Sequence, residues 1–371
     1  FIVQSLKLST AVELSMLPSN GATNLAVTEG QAFLGTQSRF VSSEQQYTLE
    51  HNSTNGDSSE AEHVHQTKRA LTAVTLLGVL YANCIGSGYG FEDSVGAAGP
   101  LITLLFCLVI PWIWCLPTGL AVSELSTAVR SNSGVLMWVN VAFNPVVSFM
   151  CVLITVFITF VGNASYPTLA ANYVNNVITL NDGTRAAVKI VCVVVCAILN
   201  ISGVEIVGGA SVLMSIITML PFVIFCVKQL FIGGYNWEAM THVDLSKVDW
   251  STFLSITSWN YSNLENAGAV VEEVANPRKT LFRAMIPLMF STYLAYFLPV
   301  AAGVSALGPD QDYDLWKSGY WSHVAKVICG DWLKYFLFAG AIVTSFGYTM
   351  TSICCTSRLL AGMGSMEIFP H

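Results

Sequence analysis

Three carboxylates, Glu92, Asp93 and Glu265, sit near the middle of long apolar stretches. An ionised side chain at bilayer depth costs at least ~2.5 kcal/mol unless it faces a cavity or finds a partner. No Lys or Arg lies mid-stretch to pair with these three. Such acids either take up a proton or receive a cation from outside. The chemistry indicated is binding of a cationic substrate, proton coupling, or both. Glu92, Asp93 and Glu265 are the proton-coupling candidates, and interacting carboxylates titrate as a set rather than singly. Aromatic rings stand beside the same acids, Tyr89 and Phe91 next to the first pair and Trp259 and Tyr261 next to the third. Ring faces hold ammonium groups by cation–π attraction, worth roughly 2 kcal/mol or more once water is excluded. Most aromatics in a membrane bundle only pack, so proximity to the acids is what singles out these four. Asn163 and Tyr166, in GNASYP, add polar groups deep in another apolar stretch, where an amide needs a helix partner or a ligand.

The elements that position these groups are broken helices. Glycines at 86, 88 and 90 make a continuous helix costly before Glu92, leaving backbone groups free to face a cavity. Unwound backbone at membrane depth is tolerated only where protein or water surrounds it, and secondary transporters build substrate sites from such interruptions. A half-helix starting after the glycines presents partial positive charge at its N-terminus. Glu92 and Asp93 occupy that first turn, offset the dipole and favour a cation. Neighbouring helical residues point about 100° apart, so one acid is expected to contact ligand while the other caps the half-helix. A second break falls at the polar run Trp259 to Asn263, just before Glu265.

Apolar segments long enough for a hydrocarbon core of about 30 Å follow one another from Lys68-Arg69 onward. Eight are expected, at about 70–98, 100–128, 138–176, 185–203, 206–232, 250–273, 280–307 and 323–361. Breaks in the first and sixth imply an inverted repeat in which the sixth span re-uses the role of the first. Composition agrees with this polytopic class, since 53% of residues are hydrophobic and 11% charged, against about 25% charged in soluble domains. Ten cysteines lie mostly in apolar runs without metal-ligand spacing, so neither a metal nor a cofactor is expected. Nothing basic suggests nucleic acid.

Residues 1–67 are polar and unpatterned, with seven acids against Lys7 and Arg39, and are expected to form a disordered tail. Lys and Arg near the two faces tie in number. Lys68-Arg69 and Arg278-Lys279-Arg283 hug span ends in short loops, where the positive-inside rule weighs most, so the N-terminus is expected in the cytoplasm. The chain is then a multi-pass protein of the bilayer, expected in the plasma membrane. Glu124 and Glu205 fall near span ends and read as interfacial carboxylates. Glu272 and Glu273 beside Asn276-Pro277 are expected to cap or gate the near end of the sixth span against Lys279 and Arg283.

The motifs FEDSVGAAGPL (91–101), SEL (123–125) with SGV (133–135), ASYP (164–167), LPF (220–222), WN (259–260), EEVANPRKT (272–280) and SRLLAGMG (357–364) occur in this order. Together they resemble the amino acid-polyamine-organocation (APC) superfamily, and within it the polyamine uptake transporters of plants and protozoa. The resemblance runs from about residue 69 to the end. It implies an all-α, LeuT-like inverted-repeat fold of twelve helices, of which 68–371 would supply the first eight, truncated after the eighth. It also implies proton-coupled uptake by alternating access of putrescine, spermidine, cadaverine or related amines. Carried over by motif, the first break contributes Gly86, Ser87, Gly88, Glu92 and Asp93, and the second Trp259, Asn260 and Glu265. The plant branch has Asp at the Glu265 position, and an acid where Gly162 precedes Asn163 here. Other functions remain open on the residues alone. A basic amino acid permease would use the Gly86–Gly88 amides for the substrate carboxylate, a neutral amino acid carrier would leave the acids unexplained, and a non-transporting sensor or assembly subunit would bind without flux. An enzyme is disfavoured, for no nucleophile–base pair is evident.

Overall fold

A computed structural model describes residues 70–365. The expected disordered tail, 1–67, lies outside the described residues. Regular structure within them is helical apart from one parallel bridge between Leu71 and Val274.

The helices are α1 (Ala73–Leu80), α2 (Asp93–Ile110), α3 (Leu116–Ala128), α4 (Val135–Ala142), α5 (Pro145–Val177), α6 (Asp182–Ile201), α7 (Val204–Ile232), α8 (Trp237–Met240), α9 (Trp250–Asn260), α10 (Pro277–Thr292), α11 (Leu298–Leu307), α12 (Trp321–Cys329) and α13 (Asp331–Ser365). Widened π turns at Pro111–Cys115 and Tyr293–Phe297 join α2 to α3 and α10 to α11. Each lies just before a proline, Pro117 or Pro299, whose missing N–H and bulky ring disrupt the normal ladder. Among the described residues six stretches are long and apolar enough to cross a membrane: Asp93–Ala128, Pro145–Asn175, Asp182–Ile201, Val204–Ile232, Pro277–Leu307 and Asp331–Gly364. The two remaining expected spans are the interrupted ones. The first consists of α1, a π turn at Tyr81–Ile85, a non-helical stretch and the opening turns of α2. Gly99, at φ 76°, then kinks α2 beside Pro100 and divides it from the second span.

Two expected span boundaries are corrected. The third span does not start at 138, because Asn144 caps α5 by accepting from the Val147 amide and Pro145 follows at the first helical position, leaving α4 as a separate short helix. The eighth span starts at Asp331, not 323, since Gly330 at φ 85° ends α12. The sixth span breaks at its polar run as expected, and its far half is a tighter 3₁₀ helix, Leu264–Glu273. That span opens on Asp249, which accepts from the amide and hydroxyl of Thr252 and whose carboxyl is thereby held below its ordinary value.

The core centres on α13, which packs on α5, α6 and α7, while α1 crosses α7. A Cβ on Gly78 would lie 2.6 Å from Val212, so only glycine permits this crossing distance. By contrast, only 11% of the apolar window of α5 and of α6 is buried, and exposed side chains such as Phe157 and Ile201 give these two helices an apolar perimeter suited to lipid. Glu124 and Glu205 are exposed, in line with interfacial carboxylates.

At the near end of the bundle, where residue 70 enters, the chain is tied across the sixth span. Leu71 donates to the Glu273 carbonyl at 2.9 Å and accepts from the Ala275 amide at 3.1 Å. Glu273 pairs with Arg358 of α13 at 2.7 Å, and Glu272 exchanges hydrogen bonds with Asn132. The partners of these two acids are therefore Arg358 and the turn before α4, not Lys279 and Arg283. Arg358 is on α13, which faces the 3₁₀ helix, whereas Lys279 and Arg283 belong to the next helix, α10. Removing one member of a buried pair leaves an uncompensated charge, whereas replacing both by uncharged groups is often neutral. Arg358→Ala is accordingly expected to destabilise the protein by about 3 kcal/mol, and Glu273→Gln with Arg358→Met to recover most of that loss. Thermal unfolding of the whole protein in detergent checks this; equal melting of the single and double variants would contradict it.

Candidate functional site

The first break begins where the π turn ends. Gly86 donates to the Tyr81 carbonyl at 2.9 Å, adopts φ 60°, and is followed by Ser87 at φ 72°. A Cβ on Gly86 would overlap the Tyr348 ring, so both conformation and space require glycine here. Carbonyls freed by the break are bound by side chains from distant helices. The Ile85 carbonyl accepts from Tyr296 at 2.8 Å and from Tyr348 at 2.9 Å, and the Gly88 carbonyl accepts from the Trp321 indole at 2.7 Å. Ser87 bridges Tyr81 and Thr218.

The second break lies against the first. The one hydroxyl proton of Tyr296 is shared with the Asn260 carbonyl, 3.2 Å away, so one phenol reaches both interruptions. Cys84 donates to the Asn263 carbonyl, and Asn266 donates to the Asn83 side chain at 2.7 Å. Phe91, buried at the first break, stacks on Tyr296 with ring centres 4.4 Å apart, and Tyr261 packs edge-on to both.

Around this crossing the acids occupy two neighbourhoods. Glu92 is 1% exposed; its Oε1 accepts from the Gly319 amide at 2.6 Å, while its Oε2 is buried without a partner. Although Glu92 stands at the cap position of α2, its side chain makes no cap bond. Asp93 is half-buried near Ser318 and Lys317, with Oδ1 unpartnered. The expectation that one of these acids caps the half-helix is thus corrected: the strap 317–319 holds them instead. Glu265, at the start of the 3₁₀ helix, lies near Cys84 and Cys355. Tyr166 shares that neighbourhood, stacking on Tyr348 at 5.2 Å with Trp259 at 6.3 Å. Trp259 is 52% exposed, and Asn260 spends its amide on the Ile256 carbonyl. Asn163 donates to Thr356, two turns along α13 from Tyr348. A cavity of about 20 Å³ remains at the crossing, lined in part by Cys84, Ile85, Asn260, Tyr261 and Met289. That admits a water and not a four-carbon amine.

Tyr296, Tyr348, Trp321 and Tyr173 were not expected at the site. Only Tyr173 carries a readable signal, falling seven residues after Tyr166 and so on the same face of α5.

Interrupted spans brought together at mid-bundle are the elements from which secondary transporters build their sites. Residues 71–371 match the family model described as amino acid permease, and the chain belongs to that family. Among similar proteins, Polyamine transporter RMV1 of Arabidopsis thaliana is 32% identical over 323 residues, which cover 86% of this chain and 65% of that protein. Polyamine transporter PUT1 of Oryza sativa subsp. japonica is 30% identical over 304 residues, covering 81% and 56%. The Glutamate/serine transporter AimA of Bacillus subtilis (strain 168) is 20% identical over 332 residues, covering 83% and 61%. The chain thus spans less than two thirds of the length of these relatives. The resemblance to the polyamine branch of the APC superfamily holds, as does the all-α, multi-pass membrane class.

A double-mutant cycle tests the carbonyl tie. Tyr296→Phe and Tyr348→Phe each leave Ile85 one donor, whereas the double variant leaves none. Each single change is expected to cost about 1–2 kcal/mol and the double to exceed their sum by about 1 kcal/mol, read from thermal unfolding.

Proposed function

We infer that the whole protein imports small cationic amines such as putrescine, spermidine or cadaverine, by alternating access with a proton as coupling ion. The observation that carries this reading is the set of acids at the breaks, none of which forms an ion pair among the described residues. Their charge suits a substrate that brings ammonium groups into the bilayer. Printed names of the plant relatives favour the same class. One ammonium is assigned to Glu265, with Tyr166 and Trp259 beside it, and another to Glu92. Gly86, Ser87, Gly88, Tyr89, Phe91, Asn260 and Tyr261 shape the crossing between them, and Asp93 stays a proton-coupling candidate with the two glutamates. Because the crossing leaves only about 20 Å³, substrate binding requires the helices to part.

Access from the far end is supported by a cavity of about 320 Å³ lined by Asp244, Asp310, Asp312 and Asp314, with Lys247 as its basic residue. Such a concentration of one sign attracts cations to a mouth. The near end, closed by Leu71 and the Glu273–Arg358 pair, is assigned to the cytoplasm and the membrane to the cell surface.

Uptake of labelled putrescine by cells expressing the whole protein tests this at about pH 5.5 and about pH 7.5. Saturable uptake, faster at the lower pH and lost in both Glu92→Gln and Glu265→Gln, is the expected result. Stronger competition by arginine than by putrescine itself would favour a basic amino acid permease on the same site.

A further inference from the structure

Four buried oxygens without hydrogen-bond partners belong to residues gathered under the strap 317–319: Glu92 Oε2, Asp93 Oδ1 and the hydroxyls of Tyr89 and Tyr173. Tyr89 is 8% exposed, Tyr173 4% and Glu92 1%, so bulk solvent does not reach these three. The rings of Tyr89 and Tyr173 meet edge to face at 6.4 Å, and both hydroxyls lie close enough to Glu92 to feel its charge. Tyr173 also lies beside Ser318, and Glu92 Oε1 is already occupied by the Gly319 amide. Lys317, exposed on the strap, lies near Asp93. Buried polar atoms are normally paired, so a cluster of unpaired ones calls for an occupant.

We propose that Tyr89, Tyr173 and Glu92 form a discrete outer subsite for one primary ammonium group, roofed by the strap 317–319 and separate from the Glu265 neighbourhood. The number of groups matches. A primary ammonium carries three N–H donors and no acceptor, and the cluster offers three well-buried acceptor oxygens, one of them charged. Asp93, on the half-buried rim, adds a second negative charge. The three residues come from three places, the first break, the start of α2 and the C-terminal end of α5, and the strap is a fourth. A ligand held here therefore fixes α5 and the strap relative to the first break. The subsite rests on the reading of the protein as an amine carrier and refines it: a diamine fills both neighbourhoods, whereas a monoamine leaves the outer one empty. Tyr173 becomes the specificity-determining residue, since its hydroxyl lies between Glu92 and the Ser318 side chain of the strap. Gly340 of α13 is part of the design, for a Cβ there would overlap the Tyr89 hydroxyl.

The test is competition against labelled putrescine uptake by the whole protein, using unlabelled putrescine and butylamine, which has the same four-carbon chain and a single ammonium. Wild type is expected to prefer putrescine. Tyr173→Phe is expected to weaken putrescine by roughly tenfold and leave butylamine unchanged, so that the preference collapses. Tyr89→Phe reads the same ratio if the first variant does not reach the membrane, and putrescine-induced thermal stabilisation of purified protein reads it without transport. Equal weakening of both amines would make Tyr173 a packing residue and overturn the subsite, as would an unchanged ratio or occupancy by sodium ion in place of amine. If wild type takes up neither amine, the carrier reading itself falls; if it takes up putrescine selectively and Tyr173→Phe leaves that selectivity intact, the subsite alone falls.

Discussion

Backbone carbonyls released inside a membrane-spanning segment have no water to turn to, and each left alone costs about 1–3 kcal/mol. The described fold depends on how this chain meets that constraint. Besides local turns such as that from the Phe91 amide to the Gly88 carbonyl, it brings phenol and indole donors from distant helices, Tyr296, Tyr348 and Trp321, to Ile85, Gly88 and Asn260. Because Tyr296 reaches both breaks at once, the first and sixth spans are held at one depth and at one spacing. α13 is fixed to them by the same logic through Tyr348, and α12 through Trp321. The hydrogen bonds that make the interruptions tolerable are thus the ones that bring the interruptions together.

Electrostatics then divides the crossing. Glu92 is fully enclosed, with one oxygen spent on the strap and the other free, while Glu265 sits half-buried among thiols and beside aromatic rings. A single small cation would satisfy one of these neighbourhoods. In the proposed mechanism a substrate with two ammonium groups satisfies both, and its binding exchanges strap and helix contacts for ligand contacts. The ends of the bundle differ in kind. At the near end a backbone bridge at Leu71 and the Glu273–Arg358 pair tie the chain across the sixth span, and at the far end lies a cavity lined by four aspartates.

Much of this was legible in the residues because it depends on composition and on local conformation. Apolar length marks the spans, and glycine spacing around Ser87 marks the first break. The polar run Trp259 to Asn263 marks the second, although the 3₁₀ form of Leu264–Glu273 does not show in its residue types. Side-chain partners across the fold were not legible. Nothing in the local sequence of Tyr296 or Tyr348 distinguishes a donor to a broken helix from an aromatic that only packs. The pairing of Glu273 with Arg358 joins residues 85 apart and depends on how α13 lies against the sixth span. Asn163 looked equivalent to Tyr166, its neighbour three residues on, yet its amide goes to Thr356 rather than to Tyr348 or Trp259. The strap under which Glu92 lies comes after a long loop whose fold no periodicity announces.

The most direct measurement is a structure of the whole protein with putrescine bound. Density for a four-carbon chain between the two breaks is predicted, with one end beside Glu265 and the other under the strap at Glu92, and with Tyr296 still joined to the Ile85 and Asn260 carbonyls. A ligand seated at the acidic mouth alone, or lying with neither end against these two glutamates, would contradict it.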